Sequence, residues 1–151
     1  MKKVNIICVG KIKEKFFREG ITEYNKRLNK FVKLNIIELP DEATNNPSVA
    51  VKKESEQIIK NMKGYNILLD IGGELLDNYK LADIVDNAYI QHSEVRFILG
   101  GSCGVSDEVR VKVDKRISLG RVTYPHQLMR LILCEQIYRT FCIINKTPYH
   151  K

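Results

Sequence analysis

Three stretches in the last third of this 151-residue sequence carry residue types that could do chemistry. Gly100-Gly101-Ser102-Cys103-Gly104 follows the apolar run Val95-Arg96-Phe97-Ile98-Leu99, and glycines clustered at a strand end let backbone approach a ligand closely. Ile117-Ser118-Leu119-Gly120 is a second short apolar run ending in glycine, so two glycine-bearing strand ends could face one pocket. At the carboxyl ends of strands in an α/β sheet, that is where ligands bind. The terminal Tyr149-His150-Lys151 combines an aromatic ring, an imidazole and an ammonium. Such a set suits a nucleotide through stacking, hydrogen bonding or proton transfer, and phosphate contact. By position alone, beyond the last apolar helix, it would be a frayed tail.

Other chemistries are weaker. Gly100-x-Ser102-x-Gly104 fits the nucleophile-elbow pattern, and Ser102, Asp114 and His126 follow the chain order of α/β-hydrolases. An HGGG-type oxyanion segment is missing, however. His126 follows Pro125 at a helix start, where a structural bond to backbone explains it as well as chemistry does. Neither a P-loop nor a G-x-G-x-x-G fingerprint occurs. The four cysteines form no C-x-x-C pair, and His92, His126 and His150 complete no metal-ligand spacing, so reduced thiols and no metal are expected.

The elements that must position these residues alternate. Apolar runs at 3–9, 32–39, 65–71, 95–99 and 116–119 read as strands, the first nearly continuous, as in a buried parallel strand. Phe17, Ile21, Tyr24, Leu28 and Phe31 recur at helical spacing with Lys and Arg opposite. A polar helix over 49–63 carries Val51, Ile58, Ile59 and Met62, and Gly64 ends it. Asp77 or Asn78 caps a helix bearing Leu81, Ile84, Val85 and Ala88, and Ser106 caps a short one with Asp107 and Glu108 in its first turn. Residues 41–48 are loop chemistry, and Gly72-Gly73 closes the third strand. The helix 125–144 is apolar nearly all round, with Met129, Leu133, Ile137 and Phe141 opposite Leu128, Leu131, Ile132 and Tyr138. Its surplus apolar side suggests a subunit interface. The pattern predicts one α/β domain over 1–151, a parallel sheet with helices on both faces.

Composition agrees with that class: 44% of residues are hydrophobic and 28% charged. No apolar run nears the ~20 residues of a membrane span, and the short run after Met1-Lys2-Lys3 has no cleavage pattern, so a cytoplasmic protein is expected. The net charge of +7 is uneven. Residues 1–35 carry ten Lys/Arg and three acids, 36–109 six against thirteen, and 110–151 nine against two. If the two basic ends meet in space, they form a surface suited to a phosphate backbone.

Taken together, Leu99-Gly100-Gly101-Ser102-x-Gly104, Thr123-Tyr124-Pro125-His126-Gln127-x-Met129-Arg130, Glu135-Gln136-x-Tyr138-Arg139 and Pro148-Tyr149-His150-Lys151 resemble the RlmH family. Val9-Gly10-Lys11-Ile12-Lys13, Glu23-Tyr24-x-Lys26-Arg27 and Ile37-Glu38-Leu39-Pro40-Asp41-Glu42 extend the resemblance over essentially the whole chain. These are small SPOUT-class methyltransferases of pseudouridine in large-subunit ribosomal RNA. The resemblance implies a SPOUT-type sheet with a C-terminal trefoil knot, a homodimer, S-adenosylmethionine as methyl donor, and large-subunit rRNA within an assembled ribosome as substrate. It implies a cofactor pocket from Leu69, Gly100, Gly101, Leu119, Gly120, Arg121, Val122, Thr123 and Tyr124, and His150, Tyr149 and Arg139 as catalytic residues. Where the family carries Gly-Lys after the third strand, this chain has Gly72-Gly73-Glu74.

Overall fold

Parallel strands buried on both faces organise the chain. The computed structural model describes residues 2–42 and 44–151; Met1 and Ala43, the latter inside the expected 41–48 loop, lie outside the described residues. Strands and helices alternate as β1 (Lys3–Val9), α1 (Lys15–Leu28), β2 (Lys33–Leu39), α2 (Pro47–Lys60), β3 (Tyr65–Leu75), α3 (Asn78–Gln91), β4 (Glu94–Ile98), α4 (Asp107–Lys112), β5 (Lys115–Ser118) and α5 (His126–Ile144). The sheet order is β2-β1-β4-β3-β5 and every pairing is parallel. Ile6 and Ile7 of β1 point to opposite faces and both are fully buried. Ile6 joins Phe97, Val85 and Ile137 in a core under α1, α3 and α5. Ile7 joins Leu68, Ile98, Ile58 and Val109 in a second core under α2 and α4.

Local chemistry sets most boundaries. The Asp77 carboxylate accepts from Lys80 N–H at 2.8 Å, and Ser106 Oγ accepts from Val109 N–H at 3.5 Å, capping α3 and α4 as expected. Asn46 caps α2 by accepting from Ser48 N–H, so that helix starts two residues before Val49. It also stops at Lys60, leaving Met62 and Lys63 in the turn that Gly64 completes at φ +67°. Phe31 lies past the end of α1, whose Leu28 carbonyl accepts from both Phe31 and Val32 N–H before β2 begins.

Two expectations are corrected. Gly72-Gly73 does not close β3: the strand continues to Leu75, with a register shift between Leu69 and Glu74 as it pairs with β5. Glu74 forms an ion pair with Lys115 of β5 at 2.5 Å. The second correction concerns α5. Leu133 and Phe141 are 1% and 2% exposed within the single chain, so they are core residues, not interface residues. The helix is apolar nearly all round because it lies on the sheet between α1 and α3, which cover its flanks.

Candidate active-site cleft

The carboxyl ends of β3, β4 and β5 meet the first turn of α5 around a cleft of about 500 Å³. Leu69 ends the regular part of β3; Gly100 and Gly101 follow β4; Leu119, Gly120, Val122, Thr123 and Tyr124 follow β5, and all line the cleft. Arg121 belongs to the same segment but is exposed and not part of the wall. His126 and Met129 of α5 close the remaining side.

The glycines do different work. Gly120 and Gly104 have φ of +133° and +84°, and a Cβ on either would meet nothing within 4 Å, so their backbone borders open space. Gly100 and Gly101 are small for the chain's own sake. A Cβ on Gly100 would stand 2.7 Å from Val105 Cγ1, and one on Gly101 would stand 2.5 Å from Glu54 Oε1. Gly100 and Gly101 thus line the cleft while packing against the chain, and Gly104 and Gly120 face open space.

Two polar groups that spacing did not single out shape the wall. Buried Ser118 donates from Oγ to the Gly120 carbonyl at 2.7 Å and accepts from Gly120 N–H at 3.2 Å, fixing the turn after β5. Asp70 is held by Arg110 Nε at 3.2 Å and Arg116 Nε at 3.5 Å, and accepts from Gly72 N–H. Its charge is thus spoken for inside the wall. Burial and the Arg130 guanidinium push the His126 imidazole below its ordinary value, which favours the neutral ring.

The hydrolase arrangement is not assembled. Ser102 lies at the carboxyl end of the sheet, whereas Asp114 accepts from Asn66 N–H at 2.7 Å at the amino end of β3 and β5. Cys8, Cys134 and Cys142 are buried and Cys103 is exposed; all are free thiols.

The tail is docked rather than frayed. Tyr149 O–H donates to Glu135 Oε2 at 2.9 Å, and its ring meets Tyr138 edge-on at 4.7 Å. Arg139 binds the Glu135 carboxylate through Nε and a terminal nitrogen, at 3.3 and 2.7 Å. Its other terminal nitrogen lies 3.1 Å from His150 Nδ1, and its guanidinium covers the Tyr149 ring. The His150 ring also meets Tyr79 edge-on at 5.2 Å. Burial, then the Glu135 bond, push the Tyr149 phenol upward. His150, Tyr149 and Arg139 are thus one cluster, but a separate one. Met129 lines the cleft and Arg139 lies ten residues along α5, about 15 Å at the helical rise.

A family model described as "Predicted SPOUT methyltransferase" matches residues 1–150. A protein of Fusobacterium nucleatum named ribosomal RNA large subunit methyltransferase H is 45% identical, over 98% of this chain and 99% of its own. One of the same name from Finegoldia magna is 48% identical over the same shares. Among solved structures, a probable methylase family protein from Haemophilus influenzae Rd KW20 superposes with a TM-score of 0.52 at 12% identity, covering 98% of this chain and 70% of that one; the likeness is one of fold.

Proposed function

The chain belongs to the SPOUT methyltransferase family, and on that premise we propose that it methylates N3 of a pseudouridine in large-subunit ribosomal RNA, with S-adenosylmethionine as donor. The observation that carries the reading is the cleft itself, where two glycine-bearing strand ends face each other across about 500 Å³ at the carboxyl edge of a parallel sheet. Open space beyond Gly104 and Gly120 fits a ligand gripped through backbone groups. Leu69, Gly100, Gly101, Leu119, Gly120, Val122, Thr123 and Tyr124 hold the donor, with Arg121 on the outer side of the same segment.

When bound, the donor supplies an electrophilic methyl group on a sulfonium. The protein must align the target nitrogen with it and stabilise the negative charge left on the base as the N3 proton departs to water. Arg139 can only donate, so its contact makes His150 Nδ1 the acceptor and leaves Nε2 carrying the proton. In this role His150 donates from Nε2 to a carbonyl oxygen of the base beside N3, rather than removing the proton. Arg139 fixes the imidazole's orientation and tautomer, and Tyr149 holds Arg139 in place through the shared Glu135 carboxylate.

A homodimer is part of the reading. The tail cluster and the cleft of one chain are separated along α5, so a second copy brings its tail to this cleft. The C-terminal trefoil knot is also part of it: the 119–125 segment runs beside the 99–105 loop in one cleft, which suits a chain threaded through that loop. The protein works as a single domain in the cytoplasm, on the assembled ribosome. No helix among the described residues is long and apolar enough to cross a membrane.

The test is transfer of labelled methyl from S-adenosylmethionine to large-subunit particles that lack the modification, followed by mass spectrometry of the nucleosides. Methyl-N3-pseudouridine is expected. Binding of the donor with no transfer to any ribosomal particle would overturn the assignment.

A further inference from the structure

Beside the cleft, on the other flank of the first turn of α5, lies a groove of about 400 Å³ that the transfer reaction does not use. It runs between α1, the β1–α1 loop and β2, the edge strand of the sheet. Its floor is apolar (Ile12, Ile21 and Ile36) and its rim carries Lys11 and Arg18.

The cations of this rim differ from two cations of α1 nearby. Lys15 and Arg27 are paired with Glu19 and Glu23 one turn away. Among the described residues, no carboxylate lies within ion-pair distance of Lys11, Lys13 or Arg18; the one acid in the groove, Glu38, is bound by Arg130 at 2.7 Å. Arg18 is nevertheless not a loose surface side chain. Its guanidinium donates to the Ile12 and Lys13 carbonyls at 3.3 and 2.9 Å, so the charge is held over the loop. An arginine fixed by carbonyls and left without a counter-charge is set up to receive an anion.

The loop is in turn pinned to the wall of the cleft. Gln127 accepts from Lys13 N–H at 3.2 Å and donates to the Lys11 carbonyl at 3.5 Å, and its chain neighbour His126 lines the cleft. One turn on, Arg130 is 2% exposed and donates to the Gly10 and Val9 carbonyls at 3.0 and 3.3 Å. Groove and cleft are therefore held at a set spacing on the two sides of one helical turn.

We propose that this groove binds a single-stranded nucleotide of the ribosomal RNA next to the target, its phosphate on Lys11 and Arg18 and its ribose or base face over Ile12, Ile21 and Ile36. The inference rests on the RNA methyltransferase reading and adds where the substrate is gripped. Cation and apolar floor together match a nucleotide of an unpaired strand, whose base face is free to pack, better than they match a duplex.

The experiment measures binding of the full-length chain to deproteinised large-subunit rRNA and to large-subunit particles over a range of salt. Wild type, Lys11→Gln, Arg18→Gln and the double variant are compared, with Lys53→Gln and Lys60→Gln on α2 as charge-matched controls across the sheet. Each groove variant is expected to weaken RNA binding and lower the salt slope by about 0.7, the change that follows when one phosphate of a single strand is no longer neutralised, while the controls change it less. Donor binding by calorimetry is expected to stay within about twofold of wild type in all. An unchanged salt slope in the double variant, with donor binding intact, would overturn the proposal. Loss of binding to particles but not to naked rRNA would also overturn it, because the groove would then meet a ribosomal protein. Absence of donor binding or transfer in the wild type is a different result: it fails the enzymatic reading and leaves the RNA-binding comparison interpretable.

Discussion

Arg139 holds His150 through Nδ1 at 3.1 Å while its other edge grips the Glu135 carboxylate. Guanidinium has no acceptor, so this contact selects the imidazole tautomer with the proton on Nε2. In the proposed role the imidazole donates from Nε2 toward the base. His150→Ala is expected to lower methyl transfer by about 10²–10³-fold, the usual effect of losing one aligned donor to a developing negative charge. His150→Gln, which can place an amide N–H near the same point, should recover part of that. Donor affinity by calorimetry should be unchanged in both. Equal activity of the Ala and Gln variants would argue against the donor role.

Removing residues 149–151 is expected to abolish transfer and also to lower stability. Tyr149 packs on Tyr138 and bonds Glu135, so the tail contributes to the fold as well as to the proposed chemistry. Tyr149→Phe isolates the hydrogen bond and should cost about 1 kcal/mol in chemical denaturation. An unchanged denaturation midpoint in both would show that the tail is not docked in solution.

Gly100→Ala should destabilise the loop after β4, because the new methyl would stand 2.7 Å from Val105 Cγ1. Combining it with Val105→Ala, which removes that atom, should recover part of the loss, a coupling that thermal unfolding of the four proteins measures. Gly120→Ala meets no atom of the chain but forces φ +133° on a residue with a Cβ. Its effect should appear in donor affinity as well as stability.

Leu133→Glu or Phe141→Glu is expected to unfold the chain rather than yield a folded monomer. Each would bury a carboxylate in the core shared by the sheet, α1 and α3. Circular dichroism and sedimentation together decide this; a folded, well-dispersed monomer from either would restore an interface role for that side of α5.

Stability should fall as pH rises from about 9 to about 11. Burial pushes the Cys8 thiol up to about 11 and that of Cys134 to about 12, whereas both ionise near 9 when exposed in the unfolded chain. Above pH 9 the unfolded state binds fewer protons than the folded one, so the slope of stability with pH is negative. Urea midpoints at pH 8 and 10.5 test this. Cys8→Ala should show a smaller drop between the two pH values than wild type.

The sequence by itself determined what depends on near neighbours. The β-branched run of β1, the caps Asp77 and Ser106, and the alternation of strand and helix are set by side chains acting within a few residues of their own backbone. The same holds for the glycine-bearing strand ends at 100–104 and Gly120, legible because a strand leading into glycine is a local pattern, whereas residues 121–124 are implied only by the family resemblance. Tertiary structure alone decided the rest. That β1 lies between β2 and β4 pairs Val4 with Leu34 on one side and Val95 on the other, and no local pattern ranks those partners. That Gly100 also packs against Val105 is visible only in the fold, and Leu133 and Phe141 read as a surplus face until α1 and α3 flank α5. Arg130 is a buried charge, because the carbonyls of Val9 and Gly10 converge on it only once β1 and α5 are packed. A charge is buried where distant backbone supplies its partners, and that supply exists only in the folded chain.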